Sequence, residues 1–184
     1  MKKFSAFNSA MLFLDEAIQR SCGFDYVINR GGCGFLSLEL AKLFPEFFYK
    51  TIIIQRGGNK KNLQTMVDYI SRGGINDYVT WGSNNVSVSH ALTCFRHAGR
   101  VFVFDAEIGF IRYKQYFAHD DCPYSERSVI GDVPLDVFEP FVNDYEAWNE
   151  TFHHDPYNRS LLRSIIVEAR EHYEKLLQSG RKVI

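Results

Sequence analysis

The stretch VSVSHALTCFRHAGRVFVFDAEIGF, residues 86–110, decides how the fold is interpreted. Two extended, largely apolar runs flank Ala98-Gly99, and this pattern predicts an antiparallel β-hairpin that turns at those two residues. A two- or four-residue loop at this position pairs Cys94 with Val103. Because side chains alternate between the two faces of a strand, this register also fixes which residues of the hairpin share a face.

The shared face carries a histidine and two acids. It is expected to hold His90, Leu92, Cys94, Val103, Asp105 and Glu107. His90 and Asp105 are then diagonal neighbours, close enough for a hydrogen bond between imidazole and carboxylate, which a general-base histidine needs from its orienting acid. Glu107 lies directly opposite His90 in this register and is the alternative acid. A three-residue loop would instead turn Asp105 to the other face.

The stretch NRGGCGFLSLELAKLF, residues 29–44, contains a candidate nucleophile. Two glycines lead into Cys33, where an apolar-periodic helix is expected to begin and to continue through residue 44, before Pro45. The unpaired N–H groups of a helix start favour the thiolate, and Gly31-Gly32 would allow a sharp turn before it. Cys33 lies in line with the apolar face of the helix, so a buried structural cysteine is the alternative interpretation.

The other elements predict an α+β architecture within a single domain that spans residues 1–184. Helices are expected at 7–20, at 59–74, near 135–152 and at 157–178, and a buried strand at 49–56. Helices first, strands in the middle and helices last are typical of α+β folds, in which helices pack on an antiparallel sheet.

Composition limits the function classes. Hydrophobic residues make up 46% of the chain and the formal net charge is −1, which argues against a disordered chain and against a broad nucleic-acid surface. No apolar run is long enough to cross a membrane, and the N-terminus lacks the pattern of an export signal. The four cysteines are therefore expected to be reduced thiols in the cytoplasm. No metal or cofactor motif is found, because the neighbouring residues of HHD, 153–155, are poorly placed to share one ion.

The order of Cys33, His90 and Asp105 resembles that of the papain-like and transglutaminase-like cysteine enzymes. On GGCGF, VSHALTCF and VFVFDAEIG, the resemblance implies a nucleophile, a base and an orienting acid on a papain-like core, whose nucleophile helix packs on a small antiparallel sheet. NRGGC is also similar, more weakly, to the segment before the nucleophile of arylamine N-acetyltransferases. Here the glycines adjoin the cysteine directly and the chain is short for that family, so acetyl-CoA chemistry is the second choice.

The activity that this resemblance implies is acyl transfer through a thioester, with no cofactor. A protein or peptide amide, an isopeptide or a glutamine side chain would be the substrate, and protease, isopeptidase and deamidase activities share these steps. Asn29 is a weak candidate for binding the oxyanion, and Trp81 a weak candidate for contacting substrate. The alternatives are a non-catalytic binding or inhibitor module on the same fold and an acetyl-CoA-dependent N-acetyltransferase. The oligomeric state is left open.

Overall fold

The computed structural model describes residues 2–21, 28, 32–55, 90–120, 122, 124, 129–143 and 159–179. Five helices and five strands lie within these residues. In chain order they are α1 (Lys2–Arg20), α2 (Cys33–Leu43), β1 (Phe48–Gln55), β2 (His90–His97), β3 (Arg100–Asp105), β4 (Gly109–Arg112), α3 (Tyr113–Tyr116), β5 (Val129–Val133), α4 (Leu135–Asn143) and α5 (Arg159–Ser179).

The strands form one antiparallel sheet in the order β4-β3-β2-β1-β5. The hairpin between β2 and β3 has the predicted register, with Cys94 opposite Val103. Its two turn residues both have positive φ, 48° at Ala98 and 74° at Gly99. Positive φ at both central positions matches the right-handed twist of the flanking strands, and it confirms a two-residue loop.

Each face of the sheet has its own apolar cluster. The larger cluster lies between the sheet and the long helices, and it includes Phe7 of α1, Leu40 of α2, Phe95 of β2 and Ile166 of α5. The smaller cluster lies on the opposite face and consists of Ile52, Ile54, Leu92, Cys94, Val103 and Tyr116. Cys94, on the face that carries His90, is a fully buried core residue as predicted.

The predicted α+β class is confirmed, and most predicted elements lie close to observed ones. The first helix begins at Lys2 instead of residue 7, and the strand expected at 49–56 is Phe48–Gln55. The helix expected near 135–152 is described as far as Asn143, and the last helix is Arg159–Ser179. The helix expected at 59–74 lies outside the described residues.

Three short elements were not expected from the sequence. They are β4, the single-turn helix α3 and the edge strand β5. Both strands are at edges of the sheet, with one neighbour each. Among the described helices, none combines the length and the apolar character needed to cross a membrane.

Candidate active site

Helix α2 is held on strand β2 by two reciprocal hydrogen bonds. The Ser37 hydroxyl donates to the carbonyl of Ala91 at 3.1 Å, and the Thr93 hydroxyl donates to the carbonyl of Ser37 at 2.5 Å. Both side chains are buried. Cys33 lies one helical turn before Ser37, and His90 is the residue before Ala91. The two bonds therefore bring the first residue of the helix to the first residue of the strand.

The turn that Gly31-Gly32 would allow is not made at Gly32, and Gly31 lies outside the described residues. Gly32 already has helical angles, φ −77° and ψ −14°, and no side chain caps the helix. Any residue adopts these angles, so the conformational freedom of glycine is not used at this position. Cys33 itself points into the larger core cluster and is 1% exposed. Its inward orientation is as predicted.

The His90 imidazole is bonded to the Asp105 carboxylate. Nε2–H donates to Oδ2 at 2.8 Å, and both side chains are buried. Glu107, the alternative acid, lies beyond the end of β3 and is exposed. Its backbone N–H donates to Asp105 instead, at 2.8 Å. Asp105 is thus the acid that orients His90.

Asp105 is surrounded by donors. Oδ1 accepts the backbone N–H groups of Glu107 and Ile108, at 2.8 and 3.2 Å. Oδ2 accepts the hydroxyl of Tyr116 at 2.9 Å in addition to the imidazole of His90. A carboxylate with hydrogen bonds on both oxygens is stabilised in its ionised form although it is buried. This explains how an acid is tolerated at the end of the apolar run VFVF.

The Cys33 thiol is the third group at this position. It is close enough to act electrostatically on the His90 ring. Nδ1 of His90 is buried and, among the described residues, has no partner with full hydrogen-bond geometry, so the contact between sulfur and ring is looser than a formed hydrogen bond. Such looseness is common at catalytic pairs without substrate. Since Nε2 is used by Asp105, Nδ1 is the nitrogen left to exchange a proton with sulfur.

The environment of His90 favours the imidazolium. Burial acts to lower the pKa of His90, but the charge of Cys33 and the bonded carboxylate of Asp105 outweigh it and raise that pKa to about 10. The charged ring is therefore the stable form at neutral pH, provided that both partners are present. At Cys94 the neutral form is favoured instead, because burial raises the pKa of the thiol to about 12.

Two tyrosines at the site were missed by sequence reasoning. Tyr116 reaches Asp105 from α3, and the ring of Tyr124 stacks on the His90 imidazole with centroids 5.4 Å apart. Tyr124 is half-buried and is thus more exposed than the groups it covers. Neither tyrosine stands at a spacing that sequence patterns associate with a site. Their positions depend on the path of the chain after β4.

The two weaker sequence candidates are not placed. Asn29 and Trp81, proposed for the oxyanion and for substrate, lie outside the described residues. The same holds for Cys22 and for the HHD segment at 153–155. Within the described part of the chain, no group of three or more His, Cys, Asp or Glu side chains could hold a metal ion.

Comparison of the chain with protein-family models, with curated proteins and with solved structures gave no match.

Proposed function

We propose that this protein is a cysteine-dependent hydrolase or acyl transferase that acts on an amide, isopeptide or glutamine side chain of a protein or peptide through a thioester. The observation that carries the proposal is the position of His90. Its ring is bonded to Asp105 through Nε2 and lies beside the Cys33 thiol. Three groups whose chemistry supports nucleophilic catalysis thus meet in one buried cluster.

The proposed reaction begins with the transfer of the Cys33 proton to Nδ1 of His90. The thiolate then attacks the carbonyl carbon of the substrate, and backbone N–H groups in the first turn of α2 are candidates for stabilising the oxyanion. As the intermediate collapses, the C–N bond breaks, the leaving amine takes the proton from His90, and a thioester remains on Cys33. Water or a second amine attacks the thioester and gives its proton to His90, and that proton returns to the sulfur.

The proposal also includes a papain-like core and a cytoplasmic location. A helix that begins with the nucleophile and packs on the antiparallel strand opened by the base is consistent with such a core. A cytoplasmic location would keep Cys33 as a reduced thiol, which the chemistry requires.

Alkylation by iodoacetamide tests the proposal, with mass spectrometry used to follow each cysteine. Between pH 7 and pH 5, the rate at an ordinary thiol falls about 100-fold, because the thiolate fraction falls tenfold per pH unit below the thiol pKa. A Cys33 thiolate held by the imidazolium of His90 would instead change less than about threefold. Cys122 is half-buried and serves as the more accessible comparison thiol within the same chain, and buried Cys94 serves as an inert one.

In H90Q the alkylation rate of Cys33 should fall steeply with falling pH, whereas in H97Q it should remain nearly flat. His97 lies at the other end of β2 and stacks on Phe4, away from the cluster. Incubation with a p-nitrophenyl ester should give an acyl adduct on Cys33 in the wild type and none in H90Q. A Cys33 rate that falls as steeply as that of Cys122, with no acyl adduct, would refute the proposal.

One observation favours the second candidate, a non-catalytic binding module. Cys33, His90 and Asp105 are each at most 2% exposed, so a substrate reaches them only if a covering side chain moves. Tyr124, stacked on His90, is the described residue best placed for that movement. If Cys33 resists alkylation at every pH at which the protein stays folded, the result would support the binding module.

A further inference from the structure

We propose that Tyr116 is a positioning residue that limits how strongly Asp105 holds the proton on His90. This inference rests on the proposed function for its biological meaning, because the strength of the base matters only if His90 transfers protons. The hydrogen bonds that carry it are independent of any reaction at Cys33.

One oxygen of Asp105 is shared between His90 and Tyr116. Oδ2 accepts from His90 Nε2–H at 2.8 Å and from the Tyr116 hydroxyl at 2.9 Å. Two donors on one carboxylate oxygen compete for its electron density, and the phenol turns the positive end of its O–H dipole toward the oxygen that the imidazole is bonded to. Each effect weakens the attraction between Asp105 and a protonated His90.

Tyr116 is suited to act as a permanent donor. Burial raises the pKa of its phenol far above the ordinary value, and the nearby charge of Asp105 raises it further, so the hydroxyl keeps its proton across the neutral range. The side chain is fully buried and packs edge-on against Phe117, with ring centroids 5.0 Å apart. A buried ring with few rotamers holds the hydroxyl at a fixed position.

Other titratable groups also act electrostatically on His90, Asp105 or Tyr116. They are Cys33 of α2, Asp15 of α1, and Cys122 and Tyr124 in the segment after α3. Glu107 contributes its backbone N–H. Substitution at position 116 leaves all these groups in place, so their contributions largely cancel when variants are compared.

The chemical reason for such a restraint lies in the catalytic cycle. A base that transfers protons twice per turnover must accept a proton and also release it to the leaving group. An ionised carboxylate bonded to the imidazole favours the protonated ring and so opposes release of the proton. A neutral donor on the same oxygen lowers the basicity of the pair without removing its orientation.

The test is a pH titration of the His90 ring nitrogens by NMR, in full-length protein with the background substitution C33S. That background removes the thiolate charge, and the other neighbouring groups stay the same in every variant, so a shift of the midpoint reports on the change at position 116. The further substitution Y116F should raise the His90 midpoint by about one pH unit, the value expected for loss of one hydrogen bond to a charged group. It should also move the Nε2–H resonance downfield, since the imidazole no longer shares Oδ2.

A second variant covers the case in which Y116F does not fold. Site-specific 3,5-difluorotyrosine at position 116 has nearly the same shape and a more acidic phenol, so it donates more strongly. It should lower the His90 midpoint, a shift opposite in sign to that of Y116F. The control is Y173F, which removes another buried tyrosine hydroxyl, one whose partner is Glu46, and should leave the midpoint unchanged.

A midpoint that stays the same or falls in Y116F, or one that stays the same or rises with difluorotyrosine, would overturn the inference. Neither result depends on alkylation or acylation of Cys33, which test the proposed function separately. A positive titration with an unreactive Cys33 would keep the role of Tyr116 in positioning and reject the enzyme.

Discussion

Replacing Asp105 with asparagine removes the charge that holds the His90 ring and keeps nearly the same volume. The four donors around the carboxylate cannot all be satisfied by an amide. If the amide oxygen takes the place of Oδ1 and keeps both backbone donors, its nitrogen faces the hydroxyl of Tyr116 and the ring of His90. The ring then has to change tautomer, with a proton on Nδ1, and it no longer accepts one from Cys33.

The magnitude follows from the same contacts. Two charge-assisted bonds to Oδ2 are lost, and at about 1.5 kcal/mol each they lower the free energy of unfolding by about 3 kcal/mol at neutral pH. Hydrogen bonds to charged groups contribute about 1.5–3 kcal/mol each. The lower value is used because an amide is less costly to bury than a carboxylate, which offsets part of the loss. Burial is the largest influence on the pKa of His90 and it acts downward. Loss of Asp105 removes one of the two groups that raise this pKa, so the pKa of His90 is expected to fall in D105N.

The assay combines urea unfolding with alkylation of Cys33 in folded protein. D105N should make the alkylation rate fall steeply below pH 7, as at an ordinary thiol, and should abolish acylation by a p-nitrophenyl ester. The matched control is D132N. Asp132 lies on the edge strand β5, and its carboxylate pairs with Lys50 of β1. That exposed pair contributes at most about 1 kcal/mol, and its loss should leave Cys33 unchanged. If D105N unfolds at the same urea concentration and Cys33 keeps a flat pH profile, Asp105 does not have the role argued here.

Three further predictions concern stability. The folded pKa of His90, about 10, lies above its unfolded value of about 6.5, so the stabilisation is complete below pH 6.5 and is lost as the pH rises toward 10. The unfolding free energy of the wild type should fall relative to that of H90Q across this window, and parallel curves would contradict the prediction. G109A should lose about 2 kcal/mol, because φ is +82° and the new Cβ would lie 2.9 Å from an oxygen of Asp15. Adding D15A should recover only the steric part, and full recovery would show that the backbone is not strained. R163A should lose about 1–2 kcal/mol, because it breaks two bonds to the nearly buried carboxylate of Glu39, whereas R20A, at an exposed pair with Glu16, should change stability by less than about 0.5 kcal/mol. Equal effects of the two arginine substitutions in urea unfolding would reject the distinction.

The hairpin and the pairing of His90 with Asp105 were predictable because both depend on local rules. A two-residue turn fixes the register, and alternation then decides which side chains share a face. The inward direction of Cys33 followed from helical periodicity in the same way. Local rules could not decide between Asp105 and Glu107, because that choice depends on where β3 ends. The chain leaves the strand after Asp105, and this end is fixed by backbone bonds to the carboxylate itself.

The rest of the site depends on long-range packing. Strands β4 and β5 have four and five residues, too few for alternation to distinguish them from loops. Tyr116 and Tyr124 come to the site only because the chain crosses the smaller core cluster after β4. A Gly-Gly pair permits a turn without requiring one, and Gly32 has helical angles. Gly31 lies outside the described residues.

The candidate site lies where the two apolar clusters meet. Cys33 belongs to the larger cluster, with α1, α2 and α5, whereas Tyr116, which holds Asp105, belongs to the smaller one on the opposite face. His90, as the first residue of β2, lies at an end of the sheet where groups from both faces reach it. A change of packing on either face therefore alters the distance between sulfur and imidazole. Since protein interiors are close-packed, even a small displacement of α2 on β2 would change the distance between the Cys33 sulfur and the His90 ring. The buried bonds of Ser37 and Thr93 hold α2 on β2, and they thereby help to fix the distance between Cys33 and His90.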